Sequence, residues 1–335
     1  MTIKEIAEAA GVSTATVSRV LNNSDKVQGK TAERVLEVVE KLNYRPDHVA
    51  RRMRVKTTNS LVFGLVITDI ENPFFANVAK GVESVAFKNK HVLMICNTNE
   101  DPEKEKFFLN SMLSEKVSGV ILVPTTGNAE FYDKLVSDGF PLVLVDRHPK
   151  GLNVDTVAIN NEEGGYKAVK RLVDLGHTRI GIINGIKGLS NAEERFHGYK
   201  KALNEAGVPI IDELITYGNY VESGGRKATE ALLTINEPPT AIFSTNNLMT
   251  LGCLKELYKR KISIPDDIAL IGFDDSTWAE ALIPPLTTVK QPGYELGVNA
   301  AELLIKRLNN PDSSIMNIVL NTELVIRNSC GGLKP

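Results

Sequence analysis

At 335 residues, 42% of them hydrophobic and 24% charged, the chain is too long for one compact core and has the composition of a water-soluble protein of two or three domains. Its apolar runs, such as residues 61–67 and 142–145, fall far short of the ~20 residues a membrane helix needs. The opening MTIKEIAEAAG has no secretory pattern, and Cys96, Cys253 and Cys330 are too few and too scattered for a disulfide framework or a metal knuckle, so a cytoplasmic protein with no metal is expected.

The net charge of −2 hides an asymmetry: residues 1–60 hold 11 Lys/Arg against 7 Asp/Glu, and the remainder 28 against 34. A small basic module on an acidic body points to a polyanion partner for the module. Within it, Ile3, Ile6, Ala7 and Ala10 share one helical face while Glu5 and Glu8 point away. Gly11 suits a helix C-terminus, and Ser13 suits the N-cap of a second helix over residues 14–21. A third helix is expected over residues 30–42, packing through Val35, Val38, Val39 and Leu42. Two short helices joined by a glycine turn make a helix-turn-helix. Ser13, Thr14 and Thr16 open its second helix with short polar side chains, and Arg19, one turn on, can fork onto guanine.

Asn43-Tyr44-Arg45-Pro46 breaks the third helix, and residues 47–54 form a short basic helical stretch with Arg51, Arg52 and Arg54. Such a segment is expected to order when phosphates neutralise it. The strings VSTATVSRVLNN and LNYRPDHVARRM, in this order and spacing, resemble the LacI/GalR family of bacterial transcription regulators, and the resemblance runs through nearly the whole chain. It implies base contacts from Thr14, Ala15 and Arg19 in the major groove. It implies phosphate contacts from Thr2, Ser13, Thr16, Asn22 and Tyr44. It also implies a hinge helix that wedges an apolar side chain into the minor groove of a pseudo-palindromic operator. Met53 stands where most members carry Leu; it is apolar and adaptable enough to keep the wedge.

From residue 60 on, short β-rich runs alternate with helical segments. Strands are expected at 61–68, 91–98, 120–123 and 141–146, with helices at 77–89, 104–115 and 130–138. The alternation restarts with a helix at Glu162 and strands at 179–184, 214–217, 240–244 and 268–273. Two such runs imply two lobes of doubly wound parallel sheet, with ligands beyond the carboxyl ends of the strands.

Polar and aromatic residues gather at those ends: Asn72, Phe74 and Phe75; Asp146 and Arg147; Arg195; Tyr220; Asn246; Phe273 and Asp274; Gln291. Asp, Asn, Arg and Gln can bridge adjacent hydroxyls, and aromatic rings stack on sugar C–H faces. An isolated Asp at a strand end is more often a cap, and Phe74-Phe75 more often core, but so many together point to a ligand. The body is similar to periplasmic sugar-binding proteins, and among these to ribose-binding proteins. That likeness implies this same set plus Ile186, with Tyr220 where a Phe stands there. Val123-Pro124 departs from the pattern, and Asn247 replaces a common acid. Asp146 and Asp274 offset Arg147 and Arg195, which favours a neutral sugar over an acid or a phosphate.

The expected organisation is a helix-turn-helix headpiece over residues 1–45, a hinge helix and linker over 46–59, and a two-lobed effector and dimerisation domain over 60–335. Its first lobe takes 60–161 and 292–322, its second 162–289 and 323–335. The expected function is that of a homodimeric, non-enzymatic repressor of sugar-utilisation genes, released from double-stranded DNA by ribose or a related sugar, with no cofactor and no catalytic residue. The alternatives are a regulator answering a sugar acid or phosphate, and a catabolite regulator with a phosphoprotein corepressor. Tyr294 fits the latter, but Glu302 stands where a basic residue is wanted.

Overall fold

The computed structural model describes residues 3–21, 29–41 and 60–331. The chain separates into two compact units between Asn59 and Ser60. The first unit contains helices α1 (Ile3–Ala10), α2 (Thr14–Leu21) and α3 (Lys30–Lys41). Ile6, Ala7 and Ala10 of α1 meet Val17 and Val20 of α2 and Val35 of α3 in a small buried core, with Val38 and Val39 at its edge. Gly11 ends α1 at a φ of +62°, a conformation in which a side chain is strained. Ser13 caps α2, its Oγ accepting the Thr16 N–H at 3.1 Å. Leu42 and the hinge segment 46–59 lie outside the described residues.

The second unit holds two six-stranded sheets. The first comprises β1 (Val62–Ile67), β2 (Val92–Asn97), β3 (Gly119–Leu122), β4 (Leu142–Val145), β5 (Asp155–Ile159) and β11 (Asn317–Leu320). The second comprises β6 (Ile180–Asn184), β7 (Ile215–Tyr217), β8 (Ala241–Ser244), β9 (Ala269–Phe273), β10 (Thr287–Lys290) and β12 (Glu323–Val325). The orders are β2-β1-β3-β4-β5-β11 and β7-β6-β8-β9-β10-β12, one permutation used twice. Central strands such as β1, β3, β4, β6, β8 and β9 are buried along their whole length, which is why they read as mostly apolar runs without a polar alternation.

Helices α4 (Pro73–Lys88), α5 (Pro102–Ser114) and α6 (Ala129–Ser137) belong to the first run. Helices α7 (Asn161–Asp174), α8 (Ser190–Glu205), α9 (Glu222–Thr234) and α10 (Asn247–Lys259) belong to the second, and α11 (Gly293–Asn309) follows β10. The chain passes from one sheet to the other after β5, returns with α11 to pair β11 with β5, and passes over again to pair β12 with β10. These three crossings join the lobes.

Three expectations need correction. Residues 155–159 form a strand that the alternation did not show. Helix α4 begins at Pro73, four residues before the expected start, because Asn72 caps it and proline at its first position is preorganised for a helix. The second sheet is not parallel throughout, since β12 runs antiparallel to β10.

Candidate functional site

In both sheets the strand order reverses direction between the first and third strands, β1/β3 and β6/β8. Loops leaving the carboxyl ends on either side of such a point diverge and open a crevice. A cavity of about 480 Å³ lies there, lined from both lobes. Of the twelve effector residues expected from sequence, Asn72, Phe74, Phe75, Asp146, Arg147, Arg195, Tyr220, Asn246, Asp274 and Gln291 line it. Two do not. Ile186 turns inward against the core of the second lobe. Phe273 is fully buried beneath Arg195, whose guanidinium carbon sits 3.8 Å from its ring centre.

The asparagines serve two roles. Asn72 Oδ1 caps α4 by accepting the Phe74 N–H at 2.9 Å, and also accepts Asn247 Nδ2 from the other lobe at 2.9 Å. Asn246 caps α10, accepting the N–H groups of Leu248 and Met249 at 2.9 and 3.1 Å. The cap reading of these residues and their place in the cavity wall are therefore compatible. Phe74 and Phe75 meet edge to face, 5.1 Å between centroids.

Arg195 is 2% exposed and is held by neutral oxygens: Nε donates to Asn161 Oδ1 at 2.8 Å, and Nη1 to the Thr245 carbonyl at 2.6 Å. Its helix sits close to α7 because Gly165 leaves room; a Cβ there would stand 2.5 Å from the Arg195 carbonyl oxygen. Arg147 is bound differently. Glu100 takes its fork, at 2.6 Å to Nη2 and 2.7 Å to Nη1, while Asp146 Oδ2 lies 3.3 Å from Nε.

Asp146 and Asn191 bridge the lobes, Asn191 Nδ2 donating to Asp146 Oδ2 at 2.8 Å. Tyr220 completes the chain, its hydroxyl donating to Asn191 Oδ1 at 2.9 Å. Its ring packs closely against Gly185, where a Cβ would come within 2.1 Å of it. Asp274 accepts Gln291 Nε2 and, at 3.1 Å, the Asn247 N–H. Burial raises the pKa of both Asp146 and Asp274, working against the neighbouring arginines. Asp146 Oδ1 and Gln291 Oε1 are buried acceptors with no partner among the described residues.

Sequence reasoning missed Asn191 and Glu100. Asn191 sits one turn before Arg195 on α8, so the i,i+4 spacing could have found it. Glu100 follows the carboxyl end of β2, where the same strand-end rule applied. Asp69 and Glu71 also line the cavity, so the even charge balance read from sequence becomes an excess of carboxylates. Backbone strain gathers here too. Six non-glycine residues of the wall, Asn99, Glu100, Asp146, Asn219, Tyr220 and Asp274, have positive φ, a geometry costing ~1–3 kcal/mol each.

In the first unit, the cap residue Ser13 and Thr14, Ala15 and Arg19 of α2 are exposed and Thr16 is half-exposed, while Val17 and Val20 of the same helix are buried. Thr2, Asn22, Tyr44 and Met53 lie outside the described residues. Among the described residues, no group of His, Cys, Asp and Glu could hold a metal, and no helix is long and apolar enough to cross a membrane.

A helix-turn-helix with a polar outer face, on the same chain as a two-lobed body with a polar cleft, defines the class of ligand-responsive DNA-binding regulators. Residues 2–47 match the model of bacterial regulatory proteins of the lacI family, and residues 169–330 that of a periplasmic binding protein-like domain. The chain is 37% identical over 334 residues to the ribose operon repressor of Haemophilus influenzae, covering 99% of each chain. It is 35% identical over 329 residues to the HTH-type transcriptional repressor PurR of Aliivibrio salmonicida, covering 98% of each. A LacI family transcriptional regulator from Enterococcus faecium with bound ribose superposes with a TM-score of 0.72 at 28% identity, covering 82% of this chain and 100% of that one. The chain belongs to the LacI family of bacterial regulatory proteins. It is a DNA-binding transcriptional repressor and not an enzyme.

Proposed function

We propose that this repressor binds a neutral pentose or hexose, ribose or a close relative, between the two lobes, and that the sugar releases it from a pseudo-palindromic operator. The observation that carries this reading is the character of the cleft. Buried acceptors at Asp146 Oδ1 and Gln291 Oε1 call for a ligand rich in O–H donors. Phe74, Phe75 and Tyr220 supply apolar surface for a ring, and the excess of carboxylates disfavours anions. The names of the ribose operon repressor and of the ribose-bound regulator agree with it. Asn72, Arg195, Asn246 and Asp274 are the proposed hydroxyl partners.

On the DNA side, Thr14, Ala15 and Arg19 read bases while Ser13 and Thr16 hold phosphates. Two copies are needed for a pseudo-palindrome. The edge strand β2, which exposes Val92, Met94 and Ile95, is the proposed surface for pairing. Sugar closes the lobes, shifts the two first lobes of the dimer against each other and alters the spacing of the hinges.

A thermal-shift screen tests the ligand class. A sugar at about 100 times its Kd stabilises by ~2.7 kcal/mol. Shifts with neutral sugars are expected; shifts only with sugar phosphates, sugar acids or heterocyclic bases overturn the reading. Replacing Arg19 by Ala tests the DNA face: a loss of ~1–3 kcal/mol at the operator, with binding to random duplex spared, is expected of a base-reading residue.

A further inference from the structure

We propose that Glu100 sets the ligand specificity of the first-lobe side of the cleft: it occupies the fork of Arg147 and so closes that side to acids and phosphates. This rests on the cleft being the effector site, as argued above. A buried guanidinium in a ligand cavity is ordinarily a receptor for anions, because its parallel N–H groups match a carboxylate or a phosphate. Arg147 is 3% exposed and lines the cavity, so by itself it would make this cleft an anion site. Its fork is already occupied, although its buried Nε makes no hydrogen bond among the described residues. Glu100 Oε1 and Oε2 take Nη2 and Nη1 at 2.6 and 2.7 Å, the Pro124 carbonyl takes Nη1 at 3.2 Å, and Asp146 lies at 3.3 Å from Nε.

Glu100 is therefore an internal stand-in for the anion that Arg147 would otherwise hold. Its position is built, not incidental. It follows Asn99, and both residues have positive φ. The turn is tied to the loop after β1 by Asn97, whose Oδ1 accepts the Ile70 N–H at 3.2 Å and whose Nδ2 donates to Asn99 Oδ1 at 2.6 Å. An incoming carboxylate would have to displace Glu100 and would then sit beside it and Asp146, three negative groups around one cation. A neutral sugar pays no such repulsion. Arg195, held by neutral oxygens, has no counterpart to Glu100 at its fork among the described residues, so the restriction lies in the first lobe.

The test uses the full chain and Glu100→Gln, which keeps the shape and removes the charge. Calorimetric titration with ribose, ribose 5-phosphate, ribonate and inorganic phosphate is compared with the native chain. At least a tenfold gain for ribose 5-phosphate or ribonate is expected, abolished when Arg147→Ala is added and absent in Glu100→Asp, which retains the charge. Thermal melts verify that each variant is folded. No gain in Glu100→Gln, or a gain that survives loss of Arg147, overturns the proposal. If the native chain binds no neutral sugar, the sugar reading fails, while the anion titrations still decide the role of Glu100.

Discussion

The two lobes each bring one buried arginine to the cleft, and they stabilise it by opposite means. In the first lobe Arg147 is matched by carboxylates from two loops, Glu100 and Asp146. In the second, Arg195 is held by an amide oxygen and a backbone carbonyl and lies over the ring of Phe273. The first arrangement neutralises the cation at short range and occupies its fork. The second fixes the geometry while leaving the charge to be balanced across the cavity by Asp146 and Asp274. On the reading proposed above, one lobe sets what charge may enter, and the other presents a rigid polar arm to whatever does.

If that division is right, the largest effect comes from Arg195. Arg195→Met leaves Asp274 buried without its counter-charge, while Asp146 keeps Arg147. It should cost ~3–5 kcal/mol in thermal unfolding, the loss expected when one partner of a buried charge group is removed. The surviving folded protein should show no calorimetric sugar binding. Retained sugar affinity would break the comparison.

Next is the link between the lobes. Asn191→Ala deprives Asp146 of a bond from the second lobe and Tyr220 of its acceptor. A loss of ~1–3 kcal/mol in sugar binding is expected from buried groups left unpaired, measured by the same titration. A loss in stability alone, with sugar affinity intact, would mean that the bridge is structural.

The smallest effect lies away from the cleft and serves as a control. His177 bonds Thr240 Oγ1 at 2.9 Å, and burial lowers its pKa from the usual 6.5. The folded state favours the neutral ring, so its contribution is present above pH ~6.5 and is lost as pH falls below it, where the unfolded chain takes up the proton more readily. The melting temperature should fall modestly between pH 7 and pH 5.5, and His177→Gln should make that slope shallower without changing sugar affinity.

Much of this architecture was legible because its causes are local. Buried parallel strands are continuous apolar runs, and the helix-turn-helix announces itself through Gly11, Ser13 and the spacing of Ile3, Ile6, Ala7 and Ala10. Strand β5 was not legible because it opens with Asp155. That residue looks like a turn former until Arg307, 152 positions away, pairs with it at 2.8 Å. The rule that ligands lie at strand carboxyl ends placed ten side chains around one cavity. It could not tell that Ile186 turns into the core or that Phe273 lies under Arg195. Glu100 escaped for the same reason as β5: its meaning depends on Arg147, 47 residues further on.

The central claim is that a neutral sugar in the two-lobed cleft lowers operator affinity, and one measurement addresses it directly. An operator selected by the protein from random duplex DNA is titrated by fluorescence anisotropy with and without saturating ribose. The account gives a 5–150-fold weakening, ~1–3 kcal/mol of coupling, absent in Arg195→Met. Operator affinity that is unchanged or tightened by a sugar shown to bind would contradict it.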